Sequence, residues 1–179
     1  MAEDDGARLT PPVSDDDHQE GPANAPVTLV EYGDYEGPAC GEAHRIVQAI
    51  QQAMGERLRF VFRNFPLTQI HPHAAGAAEA AEAAGAQDAF WPYHDRLFEH
   101  QNDLSAHALI GHARELRLSL DRFERALEQH AFEERVRSDF MSGVRSGVNG
   151  TPTFFINGIR HDDSYEYEVL LAAVKRAAK

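Results

Sequence analysis

Two periods of hydrophobic and polar residues divide this chain. Val27-Thr28-Leu29-Val30-Glu31-Tyr32 is β-branched, mostly apolar and six residues long, a pattern that predicts a central strand buried on both faces. Gly33 and Asp34 break the run. From Pro38 onward the apolar or small positions Cys40, Ala43, Val47, Ile50 and Met54 recur at three- and four-residue spacing, which defines one buried helical face. Pro38 suits the first helical position, where its missing N–H would be unpaired anyway, and Gly55 supplies the left-handed stop. Leu58 to Phe65 reads as a second strand, with Phe60 and Phe62 on one face and Pro66 ending it. Strand, helix and strand in that order predict a parallel crossover.

The helical period then takes over. Ala74 to Ala84 is alanine-rich and closed by Gly85. Phe90, His94, Leu97 and Phe98 share the next face, with Asp88 as the expected cap and Pro92 tolerated in the first turn. Ser105 is expected to cap a helix that turns Leu109, Ala113 and Leu116 inward, and Ser119 another that presents Leu120, Phe123 and Leu127. Ala131 to Ser146 aligns Phe132, Val136 and Phe140, for a total of about five helices. Strand character returns at Thr153 to Ile156. Asn157-Gly158 is a hairpin signal and Ile159-Arg160 starts the return strand. Asp163 or Ser164 is expected to cap a terminal helix with Tyr167, Leu170, Leu171 and Val174 toward the core.

Composition narrows the class. At 179 residues, 42% hydrophobic and 26% charged, the chain fits one globular domain. No apolar run approaches the roughly 18 residues of a membrane-spanning helix, and no basic segment followed by an apolar one opens the sequence, so a cytoplasmic location is expected. The formal net charge is −12. Half of it comes from Glu3, Asp4, Asp5, Asp15, Asp16, Asp17 and Glu20 against Arg8, so residues 1–25 read as an acidic, flexible tail. Such a surface repels phosphate backbones, which argues against nucleic acid and anionic membrane as partners. One cysteine excludes an internal disulfide.

That cysteine lies in Gly37-Pro38-Ala39-Cys40-Gly41, where the strand turns into the helix. Taken with the His71-Pro72-His73-Ala74 helix start, Phe90-Trp91, His94-Asp95, Leu97-Phe98 and Val148 to Gly158, this stretch resembles the DsbA-like branch of the thioredoxin fold. The resemblance runs from Ala25 to the C-terminus. It implies an α/β fold, thioredoxin-like with a helical insertion: one domain over 26–179, its core in 26–70 and 148–179 and the insertion in 71–147. It also implies a cis Pro152 in a loop, Gly150-Thr151-Pro152, that faces the active-site motif. The family's usual Cys-Pro-x-Cys is Gly37-Pro38-Ala39-Cys40 here. The thiolate that a helix mouth stabilises is therefore missing, and Cys40 holds the second, resolving position. Without a partner thiol no two-electron disulfide cycle is expected.

Two uses of the site remain open. Cys40 is a candidate monothiol, exchanging with protein or peptide thiols and disulfides or with glutathione, and His44, four residues on, is its candidate base. Alternatively the module is redox-inactive and binds extended clients in a groove formed by Tyr35, Glu36, Thr151 and Pro152 beside Gly37 and Pro38. Asp34 and Glu36 crowd the helix start, where they favour its dipole. No His-Glu-x-x-His and no Cys/His pair of pairs occurs, so no metal is expected, His71 and His73 included.

Overall fold

The computed structural model describes residues 6–179. Strand β2 (Val27–Gly33) is its axis, with all seven residues buried. It runs parallel to β3 (Leu58–Asn64), with Val27 opposite Leu58 and Gly33 opposite Asn64. On its other side lies β4 (Thr153–Ile156), antiparallel, with Leu29 opposite Ile156. Adding β1 (His18–Glu20) and β5 (Ile159–Arg160), the sheet order is β1-β3-β2-β4-β5. The parallel pair is joined through α1 (Pro38–Met54), as the sequence pattern requires.

Strand alternation sorts the side chains onto two faces. Val27 and Leu29 join Cys40, Ala43, Val47 and Ile50 of α1 in one core. Val30 and Tyr32 join Val61, Phe65, Val148 and Phe155 in the other. The insertion follows β3 as α2 (Ala74–Gly85), α3 (Phe90–Glu99), α4 (Ala106–Glu115), α5 (Leu120–Glu128) and α6 (Glu133–Arg145), and α7 (Tyr167–Ala177) closes the chain. Ser105 and Ser119 cap as expected, accepting from the N–H groups of Ala108 and Arg122.

Three expectations need correction. From Gly6 on, the acidic segment is not loose; residues 1–5 lie outside the described residues. Leu9 is buried, and β1 pairs antiparallel with β3, His18 opposite Phe62. A three-residue polar strand carries no hydrophobic period to announce it. The anchor is Arg63 of β3, whose guanidinium donates to Asp17 Oδ1 at 2.9 Å and Oδ2 at 3.0 Å, to the Pro11 carbonyl at 3.0 Å and to Tyr32 Oη at 2.9 Å. Second, Asp88 does not cap α3; it sits at φ 61°, where the chain reverses between α2 and α3, and the N-cap is Ala89. Third, α7 starts beyond Asp163 and Ser164, at the N-cap Glu166. Ser164 Oγ instead accepts the Glu166 N–H in a local turn.

The Arg63–Asp17 pair is nearly closed to solvent on both sides, at 3% and 8% side-chain exposure. Arg63→Met should therefore strand a buried carboxylate and cost about 3 kcal/mol or more in urea unfolding. It should also open the Arg8–Glu20 segment to limited proteolysis. A midpoint within error of the parent's would show that the pair anchors nothing.

Candidate functional site

The site lies where β2 ends and α1 begins. Gly37 is the N-cap of α1, at φ −72° and ψ 122°, and offers no side chain to it. Its N–H bonds the Asp34 carbonyl at 3.1 Å, and its carbonyl accepts from the Cys40 and Gly41 N–H groups. Gln101, beyond the end of α3, donates from Nε2 to the carbonyls of Tyr35 (2.9 Å) and Gly37 (2.8 Å). A Cβ at position 41 would collide with that amide and displace it from the two carbonyls.

Asp34 is 1% exposed and fully used. Oδ1 accepts the Glu36 N–H at 2.8 Å; Oδ2 accepts the Leu67 N–H at 2.9 Å and meets His71 Nδ1 at 2.8 Å. Glu36 reaches the same loop, its carboxylate accepting the His73 N–H at 2.7 Å and lying 2.9 Å from His73 Nδ1. Its desolvation opposes ionisation, but the two hydrogen bonds from His73 outweigh this and hold Glu36 below the usual carboxylate range. The two acids of the helix start therefore tie the motif to the insertion, and His71 and His73 are their partners in doing so.

Cys40 is buried at 0% exposure. Its Sγ accepts the Asp34 N–H at 3.4 Å. Burial pushes the thiol up to about 12, Glu31 adds to this, and the Asp34 N–H and Thr151 side-chain hydrogen bonds only partly oppose it. Thr151 therefore faces the sulfur across the site. The Thr151–Pro152 peptide is cis, and both residues are partly exposed.

Glu31, absent from the sequence-based candidates, belongs here. It is 2% exposed, its Oε2 has no hydrogen-bond partner, and desolvation raises it to about 8. Alternation places it on the face of β2 that carries α1. The signal was a single carboxylate inside a strand expected to be buried on both faces. Gln101 had no comparable signal, since it lies outside every periodic segment.

Two candidates sit elsewhere than expected. Tyr35 is no part of an open groove: it is 1% exposed, packs on Phe62 and Phe98, and its hydroxyl lies 2.8 Å from His94 Nδ1. His44 is buried against Phe98 and His94, lowered to about 4 by burial and then by Arg45. Among the described residues no hydrogen bond joins it to Cys40, and its acidic neighbour is Asp95, 3.7 Å away.

Two measurements follow from this geometry. A Cβ at position 37 would lie 3.5 Å from Cys40 Sγ and no closer than 3.4 Å to Asp34, ordinary contact at a backbone angle any residue adopts. Gly37→Cys should thus close a disulfide with Cys40 on oxidation, with neither thiol then alkylated after denaturation; two free thiols would show that the geometry is wrong. Glu31 binds a proton more tightly folded than unfolded, so its contribution to stability is full below pH 4.5 and falls as pH rises to about 8. The slope reaches roughly 1.4 kcal/mol per pH unit. In urea unfolding, Glu31→Gln should gain on the parent across that window; a constant difference would mean Glu31 is already ionised in the fold.

Comparison with known proteins adds relatives of two kinds. Residues 14–176 match the Thioredoxin_4 family, described as thioredoxin. Among curated proteins, the chain is 48% identical over 169 residues to Na(+)/H(+) antiporter NhaA 1 of Salinispora arenicola, covering 94% of this chain and 26% of that protein. It is 41% identical over 172 residues to Na(+)/H(+) antiporter NhaA of Herminiimonas arsenicoxydans, at 96% and 27% coverage. The chain thus spans about a quarter of the length of these relatives. Among solved structures, oxidised BdbD of Bacillus subtilis superposes with a TM-score of 0.86 at 24% identity, covering 97% of this chain and 98% of that one. A thioredoxin-like oxidoreductase of Silicibacter pomeroyi gives 0.82 at 26%, with 99% and 98% covered. Wolbachia pipientis α-DsbA1 gives 0.80 at 18%, with 94% of each covered.

Proposed function

We infer, from the premise that this chain belongs to the thioredoxin family and to its DsbA-like thiol–disulfide oxidoreductases, that it holds client polypeptide without cycling a disulfide. The state of Cys40 carries this reading. The chain has one thiol, so no internal disulfide can store two electrons. That thiol is fully buried and pushed up to about 12, so burial opposes formation of the attacking thiolate. What the site still offers is a surface. Pro152 lines a cleft of about 260 Å³ with Asn149, Thr153, Phe154, His161 and Tyr165, wide enough for side chains of an extended segment lying beside Thr151.

One observation favours monothiol exchange as a second reading. The space a Cβ would take at Gly37 touches Cys40 Sγ at 3.5 Å, so one sulfur of a client disulfide or of oxidised glutathione fits the place of the absent side chain, where exchange with Cys40 breaks that disulfide, forms the mixed one and releases the other sulfur as a thiol.

The antiporter relatives bear on context. The chain matches about a quarter of each, and no described helix is long and apolar enough to cross a membrane. We read ion transport as the work of the part of those proteins that this chain does not match, and the shared segment as a thioredoxin-fold module.

The test uses reduced, carboxymethylated lactalbumin as an unfolded, thiol-free client. Binding should survive Cys40→Ser and fall several-fold in Thr151→Lys, which sets a long charged side chain next to Pro152 of the cleft. Native Cys40 should resist alkylation and form no mixed disulfide with oxidised glutathione. Fast alkylation or a glutathione adduct would replace the holding role by monothiol chemistry, and failure of the parent protein to bind this client would overturn it.

A further inference from the structure

His44, His94 and Asp95 come together at the junction of α1 and α3, away from the client cleft. One ligand atom from each lies within 4.8 Å of the others, and His44 Nε2 is 3.7 Å from Asp95 Oδ1. His44 is 5% exposed, and its Nε2 has no hydrogen-bond partner. A buried polar atom left unpaired calls for a reason. His94 is 2% exposed; Tyr35 Oη occupies its Nδ1 at 2.8 Å, so Nε2 is the ring atom left for a ligand. When Nδ1–H donates to Tyr35, that Nε2 carries the lone pair, the arrangement by which an outer partner fixes a metal-binding imidazole. The Asp95 side chain is 40% exposed and gives the cluster an opening to solvent. Glu20 and Glu99 act on Asp95 there as like charges, so the approach favours a cation, with Arg45 beside His44 as the opposing charge.

We propose that His44, His94 and Asp95 bind a first-row divalent transition metal such as Zn²⁺. Two imidazoles and one carboxylate suit that class better than Mg²⁺ or Ca²⁺, which take oxygen ligands. Three protein ligands leave a position for water. Bonds of about 2.0–2.2 Å place ligand atoms roughly 3–4 Å apart, so binding draws the three ligand atoms inward from a spacing of up to 4.8 Å. The bound ion joins α1 to α3 and, through the Tyr35–His94 hydrogen bond, braces the segment that leads to Gly37. No short-range motif announces this set, because its members come from helices far apart in sequence.

A second group, Glu79, His130 and Glu133, also lies within ligand distance, but His130 and Glu133 are exposed and His130 is paired with Glu79 at 3.0 Å. It serves as the control. The experiment titrates tag-free, chelator-stripped protein with Co²⁺, read by its visible d–d bands, and with Zn²⁺, read by competition against a chromophoric chelator. One equivalent should bind, without thiolate-to-cobalt charge-transfer bands. Asp95→Asn, at a partly exposed position that tolerates the change, should weaken binding about tenfold or more. His44→Gln should abolish it, and His130→Ala should leave it unchanged. Absence of binding, binding indifferent to Asp95→Asn, or binding lost in His130→Ala would overturn the assignment. Since neither Cys40 nor Thr151 is read out, this result stands or falls apart from the client-holding role.

Discussion

A carboxylate taken out of water is tolerated only when hydrogen bonds replace its hydration, and in this fold that requirement falls on Asp34. The residue ends β2, and its backbone and side chain together gather five partners. Its N–H points at Cys40 Sγ and its carbonyl takes the Gly37 N–H. Its carboxylate takes the N–H groups of Glu36 and Leu67 and pairs with His71. One buried acid thus fixes the strand end, the helix mouth and the loop into α2 relative to one another. Glu36 with His73, and Gln101 with the carbonyls of Tyr35 and Gly37, repeat the connection from two other directions. The helical insertion is therefore part of the site's support.

What the sequence disclosed follows from the range of the forces involved. The strand at Val27, the buried face of α1, the two serine caps and the Asn157-Gly158 hairpin were legible because each depends on residues within a few positions of one another. The partners of Asp34 were not. Local reading placed Asp34 and Glu36 at a helix N-terminus, where a carboxylate is favoured by the dipole, and nothing nearby indicated that their oxygens would be filled from residues 67–73. The same limit hid β1, whose stability comes from Arg63 reaching Asp17 across the sheet. It also hid Gln101, a loop residue whose only mark is the amide it presents to the motif. Tyr35 illustrates the reverse error: proximity in sequence to the motif suggested a surface position, but the ring is drawn into the aromatic cluster around Phe62 and Phe98.

Burial also sets the charge state of the interior. Glu31 is raised to about 8 and Asp139 to about 6, while His44 falls to about 4. In each case desolvation is the largest cause, and it acts in opposite directions on acids and bases because it disfavours whichever form is charged. The space between β2 and α1 thus holds a Glu31 that is largely protonated near neutral pH. A thiol placed in that space follows the same rule and stays protonated. Burial favours the protonated form of Cys40 for the same reason that it favours protonated Glu31.

This explains how the loss of one side chain at the helix mouth leaves the architecture intact. A thiolate at position 37 would have been stabilised by the α1 N-terminus, but it would not have held the turn. The Gly37 carbonyl is bound by Gln101 and by the first N–H groups of α1, and its N–H by Asp34. None of these contacts involves a side chain at 37. Chemistry and scaffold are separable at this position. The nucleophile can be absent while the Thr151–Pro152 loop, the cleft and the buried acid stay in place.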